Sequence, residues 1–122
     1  MRPVFAALLA AAATAAVWTP AASAWNGDIF SSPSGNLRCR LYEDDQQVVC
    51  RSMSDGFTVW LGRHGRATTH SFGPTIGRGH LFSYGQTWTA PGFSCTSQVT
   101  GITCRNQTGH GFFLSRTNHE LW

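Results

Sequence analysis

Cys39 and Cys50 bracket one short apolar–turn–apolar segment, and Cys95 and Cys104 bracket another. No other feature narrows the fold as much, because the start of the chain predicts where these cysteines go. Met1-Arg2-Pro3 is a short basic start, and Val4 to Val17 is an apolar run rich in Ala and Leu. Ala22-Ser23-Ala24 then supplies the small-x-small pattern of a signal peptidase site. Residues 1–24 are therefore predicted to be a secretory signal peptide cleaved before Trp25. The expected location is the periplasm or the extracellular space, where close cysteines oxidise.

Four cysteines allow three connectivities, and the spacing favours Cys39–Cys50 and Cys95–Cys104. If the first hairpin turns within Glu43-Asp44-Asp45-Gln46, Leu41 faces Val48 and Cys39 faces Cys50. Opposed strand residues have Cα atoms about 4.5–5.5 Å apart, a separation that suits a disulfide. In the second segment Gln98-Val99-Thr100-Gly101 is the expected turn, with Gly101 in the left-handed position. A zinc site is the rival use of four cysteines. These spacings lack the tight C-x-x-C pairs that zinc prefers, so no metal and no cofactor is expected.

Residues 25–122 have the length of a single domain. No second apolar stretch approaches membrane-spanning length, so no span is expected after cleavage. The segment is also too short for the usual nucleotide-dependent enzyme folds. Small domains of this size bury a limited core and gain from cross-links.

The hydrophobic pattern is that of strands. Leu37, Cys39 and Leu41 share one face, and Phe57, Val59 and Leu61 share another, with Thr58 and Trp60 opposite. Leu81 to Tyr84, Gln86 to Thr89, Phe93 to Thr96, Ile102 to Arg105 and Phe112 to Ser115 are further short candidates. Pro, Gly, Asn and Ser punctuate them, as in Ser32-Pro33-Ser34-Gly35-Asn36 and Ala90-Pro91-Gly92. The expected fold is all-β, a small antiparallel β-sandwich or barrel with two hairpin disulfides. A faint internal repeat runs through it. Cys50 to Val59 resembles Cys104 to Leu114 with one inserted residue, pairing Gly56-Phe57 with Gly111-Phe112.

Ser32-Pro33-Ser34-Gly35-Asn36-Leu37-Arg38-Cys39 and the stretch from Gly101-Ile102-Thr103-Cys104 through Gly109-His110-Gly111-Phe112 to Leu114-Ser115-Arg116 carry a resemblance. They resemble the two signature stretches of a family of small exported bacterial proteins known only as a domain of unknown function. Tyr84-Gly85 is similar to that family as well. Longer members carry extra cysteines in the middle, and residues 51–94 hold none, so this chain resembles a pared-down member. The resemblance implies export, disulfides and a compact domain, and no particular chemistry.

Charge is unevenly placed. Asp28, Glu43, Asp44, Asp45 and Asp55 lie in the first part of residues 25–122 with Arg38, Arg40 and Arg51. Beyond Asp55 the only carboxylate side chain is Glu120, whereas Arg63, Arg66, Arg78, Arg105, Arg116 and every histidine fall there. An Arg without acidic neighbours is free to hold an external anion, and its planar fork fits carboxylate or phosphate. Arg63, Arg66 and Arg78 are flanked by Gly62, Gly65, Gly77 and Gly79, whose backbone N–H groups could join such a site. They are the first ligand-binding candidates.

His110 lies between Gly109 and Gly111, with Arg116 farther along. The glycines would let the backbone approach a ligand and present the imidazole in a cleft. A ring bonded to a loop carbonyl is the structural alternative. His110 and Arg116 complete the candidate ligand-binding set; no catalytic residue is assigned. Gly92-Phe93-Ser94-Cys95-Thr96 fails the nucleophile-elbow pattern at its last position. Trp25, Trp60, Trp88 and Trp122 could form a sugar-stacking face, with core packing the alternative.

The reading that results is a non-enzymatic exported binding module for an anionic envelope polymer or a secreted protein partner. A small phosphodiester hydrolase, with His110 as acid/base and Arg116 or Arg63 on the phosphate, is the enzymatic alternative. An inhibitor of a secreted hydrolase is a third. Nucleic acid is not an expected partner.

Overall fold

The structure is a computed structural model that describes residues 24–25, 27–70 and 73–122. The predicted signal peptide, apart from Ala24, lies outside the described residues. Every described element is a strand. In chain order they are β1 (Ala24–Trp25), β2 (Ile29–Ser31), β3 (Leu37–Tyr42), β4 (Gln47–Ser52), β5 (Thr58–Gly62), β6 (Thr68–His70), β7 (His80–Leu81), β8 (Thr87–Ala90), β9 (Phe93–Gln98), β10 (Gly101–Asn106), β11 (Gly111–Leu114) and β12 (His119–Leu121). They form two six-stranded sheets, β6-β5-β4-β3-β2-β7 and β1-β8-β9-β10-β11-β12.

Each sheet is a five-stranded antiparallel meander with one short strand added at its edge. The first meander is β2 to β6 and the second is β8 to β12. The added strands are exchanged: β1 pairs in parallel with β8, and β7 pairs in parallel with β2. The fold is the expected small antiparallel β-sandwich, with one parallel pairing at an edge of each sheet. A hairpin imposes antiparallel pairing on neighbours in the chain; β1 and β7 pair with strands far away and escape that constraint. All four edge strands have only two or three residues, which limits the open ladder that could recruit other chains.

The two halves repeat one design. Cys39 stands opposite Cys50, and Cys95 opposite Cys104. Phe30 stands opposite Cys39 as Trp88 stands opposite Cys95. Val59 and Phe112 occupy the equivalent places beside Cys50 and Cys104. The registers shift the motif alignment by two residues, because Thr58, opposite Arg51, matches Gly111, opposite Arg105. The first copy also carries the longer turn, residues 53–57 against 107–110. The Gly-Phe likeness arose from similar turn chemistry at unequal turn lengths.

Both predicted disulfides form, each with Cα atoms 4.0 Å apart. Their inward faces join one core that includes Phe30, Val48, Val59, Leu61, Phe82, Trp88, Ile102 and Phe112. Gly101 has the positive φ expected of it, but it lies just beyond the turn. The two-residue turn is Val99-Thr100, and Gly101 lies in β10 with φ of 148°. A Cβ there would run into the Phe113 ring and the Leu114 carbonyl, so only glycine fits.

A second, smaller core covers the outer face of the first sheet. The segment from Gly73 to Gly79 runs from β6 at one edge to β7 at the other. Arg51 Nη1 donates to Gly73 O at 2.8 Å, and Arg38 Nη1 donates to Ile76 O at 3.1 Å. Ile76 is buried outside the main core, and Val49, which points to the outer face, is fully buried too. Two of the Arg residues in the acidic part of the chain thus tie down a strap.

Candidate functional site

The five candidate residues do not converge. Strand registers divide them between the two ends of the sandwich. At one end lie the Glu43–Gln46 turn, the loop after β5 with Arg63 and Arg66, and the turn containing His110. At the other lie the Ser32–Asn36 loop, the Val99-Thr100 turn, Arg78 and Arg116. Strands of six residues separate these ends by roughly 17–20 Å.

At the first end, Arg63 lines a cavity of about 410 Å³ together with Asp28, Glu43, Gln46, Leu41 and Phe93. Its Nε is buried without a hydrogen-bond partner. The carboxylates missing around Arg63 in sequence are supplied by the fold, so this guanidinium is not in a carboxylate-free setting. Arg66 is exposed on the same loop. Asp28, Arg40, Glu43, Asp44 and Asp45 border an adjoining open hollow. Among the described residues no group of three or more His, Cys, Asp or Glu is arranged to hold a metal ion.

Asn106 organises this end. Its Oδ1 accepts from Thr108 N at 3.0 Å, Thr108 Oγ1 at 2.9 Å and His110 N at 3.0 Å. Its Nδ2 donates to Gly62 O at 3.0 Å and Gly65 O at 2.8 Å. The buried amide thereby clamps the loop of one sheet to the turn of the other. The sequence signal was Asn followed by Thr two residues on, which is an Asx-turn pattern.

His110 enters this clamp through its backbone alone. Its N–H is held by Asn106 Oδ1 and its carbonyl accepts from Asn106 N at 2.8 Å. The flanking glycines serve the chain itself. Gly109 has φ of 88°, and a Cβ on Gly111 would collide with the Cys104 carbonyl of β10. The close approach foreseen for a ligand is thus an approach to the neighbouring strand. The half-buried His110 lines neither the Arg63 cavity nor the cleft at the other end. It is also separated from Arg116 by the length of β11.

The second end holds a cleft of about 170 Å³ lined by Ser32, Ser34, Asn36, Leu37, Tyr84, Gln98, Val99, Thr100, Gly101, Ser115 and Arg116. No carboxylate lines it. Asp55, in the β4–β5 turn, accepts from Phe57 N at 3.0 Å. A relay of side chains shapes the cleft. Asn36 Nδ2 donates to Ser52 Oγ at 3.4 Å, Ser52 Oγ meets Ser54 Oγ at 3.1 Å, and Ser54 Oγ donates to Arg116 O at 3.4 Å. Arg78 packs against the same loop, because a Cβ on Gly35 would lie 2.7 Å from its Cζ. Phe57 stacks on His119 at 3.7 Å and joins the two sheets beside it.

The tryptophans form no common face. Trp88 is fully buried in the core. Trp60 sits on the outer face, stacked with Tyr42 at 6.3 Å. Trp122 lies under Arg105, whose Cζ is 5.1 Å from the ring centroid. The Trp25 side chain lies outside the described residues. A shared sugar-stacking surface is corrected accordingly, because β-strand alternation sends these rings to different layers.

Fold and site together define a disulfide-stapled, internally duplicated β-sandwich with a hydroxyl-lined cleft at one end. The model of DUF6636, a family of unknown function, matches residues 56–122, more than half of the chain, and the protein belongs to that family. Neither the curated proteins nor the solved structures compared with it include a match. The two disulfides are compatible with export. Among the described residues no helix is long and apolar enough to cross a membrane.

Proposed function

We propose that the protein is an exported, non-enzymatic binding module that acts in the periplasm or outside the cell. Its ligand is an anionic group on an envelope polymer or a partner protein, held in the cleft beside Arg116. One observation carries this reading: hydroxyl and amide donors from four loops converge next to Arg116, with Arg78 close by and no carboxylate in the lining. An Arg in that setting keeps its full attraction for an external anion, and the hydroxyls add directional bonds. The hydrolase alternative loses support because His110 stands at the opposite end of β11 from Arg116 and does not line the cavity that holds Arg63.

Sedimentation of the oxidised protein with its own cell-envelope fraction across a salt series tests the reading. Binding is expected to fall steeply with salt and to be weakened tenfold or more by Arg78→Ala with Arg116→Ala. Arg63→Ala with Arg66→Ala should leave it nearly unchanged. A loss that follows Arg63 and Arg66 instead would move the site to the opposite end. Absence of binding at every salt concentration would remove the polymer ligand.

A further inference from the structure

We infer that the cleft end is a protein-docking surface whose occupant presents a carboxylate among apolar side chains. This rests on the cleft being the binding site and narrows its ligand. Among the described residues the large apolar side chains left exposed are Met53 (40%), Leu81 (55%), Tyr84 (51%) and Val99 (79%). All four gather at this one end. Tyr84 and Val99 line the cleft, Met53 N donates to Asn36 O at 2.7 Å, and Leu81 pairs with Ser31.

Scattered apolar residues on a surface need no explanation, but a cluster around a polar cleft does. Val99 is the clearest member. It occupies the tip of a two-residue turn, a place usually given to Gly, Asn or Asp, where it contributes nothing to the core. The Cys95–Cys104 bridge staples the hairpin behind it, so the tip is presented with little freedom left to lose on binding. Apolar anchors, a tyrosine and arginines within a polar rim are the make-up of protein interfaces.

Charge selects the partner's chemistry. Arg116 stands in a lining without carboxylates, and Arg78 packs against Gly35 of the loop that supplies Ser34 and Asn36, so the partner supplies the acid. Shape and polarity argue for a protein over a glycan, because Met53, Leu81 and Val99 offer aliphatic surface instead of flat rings for stacking. A second copy of the chain is a poor fit. Its acidic Glu43–Asp45 tip has no exposed large apolar neighbour to cover Val99 or Leu81.

Selection of displayed random dodecapeptides on the oxidised protein tests this directly. The enriched sequences are expected to combine Asp or Glu with apolar residues. The synthetic form of the best one, titrated by fluorescence polarisation, should lose tenfold or more affinity with Val99→Asp, Val99→Ser and Arg116→Ala. Thr69→Ala, on the far edge strand, should bind as the parent does. Thermal midpoints confirm that each variant is folded. Enrichment of nothing, or of peptides insensitive to Val99, overturns the proposal. If polygalacturonate binds with Arg116 dependence while no peptide enriches, the protein assignment fails and the anion cleft stands. If neither probe binds, both readings fail. Self-association in sedimentation velocity that Val99→Asp abolishes would name a second copy as the occupant and overturn the partner assignment.

Discussion

The rings of Phe30 and Trp88 meet with centroids 4.9 Å apart, and each stands opposite the first cysteine of its own hairpin. They hold equivalent positions in the two halves, so the repeat closes on itself at this contact. Trp88 also donates from Nε1 to Gly27 O at 2.7 Å, which satisfies the one polar atom that its burial would strand. Trp88→Ala is expected to cost about 3–5 kcal/mol, and Trp88→Phe distinctly less. Denaturant unfolding of the oxidised variants measures both.

The two disulfides should contribute nearly equally, since they close loops with sequence separations of 11 and 9. Cys39→Ala with Cys50→Ala, and Cys95→Ala with Cys104→Ala, are each expected to lower stability by about 2.5–3 kcal/mol. Removing both should leave little or no folded protein at 37 °C, as judged by near-ultraviolet circular dichroism. A difference of more than about 2 kcal/mol between the pairs would contradict the equivalence of the halves.

Asn106 and His110 should behave in opposite ways despite lying in the same turn. Asn106→Ala removes all five bonds that its amide makes and is expected to cost about 2 kcal/mol or more. It should also speed amide exchange around Gly62 to Arg66. His110→Ala keeps its backbone bonds to Asn106 and should change stability by less than about 1 kcal/mol. A large loss from His110→Ala would show that the ring supports the turn.

Ile76→Ala tests the strap. The Ile76 side chain is 1% exposed and lies outside the main core, and the truncation is expected to cost about 2–4 kcal/mol. The Gly73–Gly79 segment should then be cleaved by protease well below the denaturant midpoint, because this core is separate from the main one.

The long strands were legible because alternation over five or six residues is a strong signal. The Cys39–Cys50 register was legible because a four-residue turn leaves one symmetrical pairing. Strands β2, β6 and β12 went unseen, since three residues are too few to show a period. The pattern predicts a strand from Leu81 to Tyr84, but only His80–Leu81 pairs there, and Tyr84 is exposed beside the cleft. Asn106 does not stand out in the sequence, because its four partner residues come from two sheets.

The chain by itself determined the longer strands and the two disulfides. Each follows from local spacing and the two-residue period of a strand. Only the tertiary structure decided which sheet receives β1 and β7, which arginines tie down the strap, and which share a cavity with acids. Those outcomes depend on segments tens of residues apart meeting across two sheets. The same packing set Arg116 in a lining without carboxylates and put His110 at the opposite end of the sandwich.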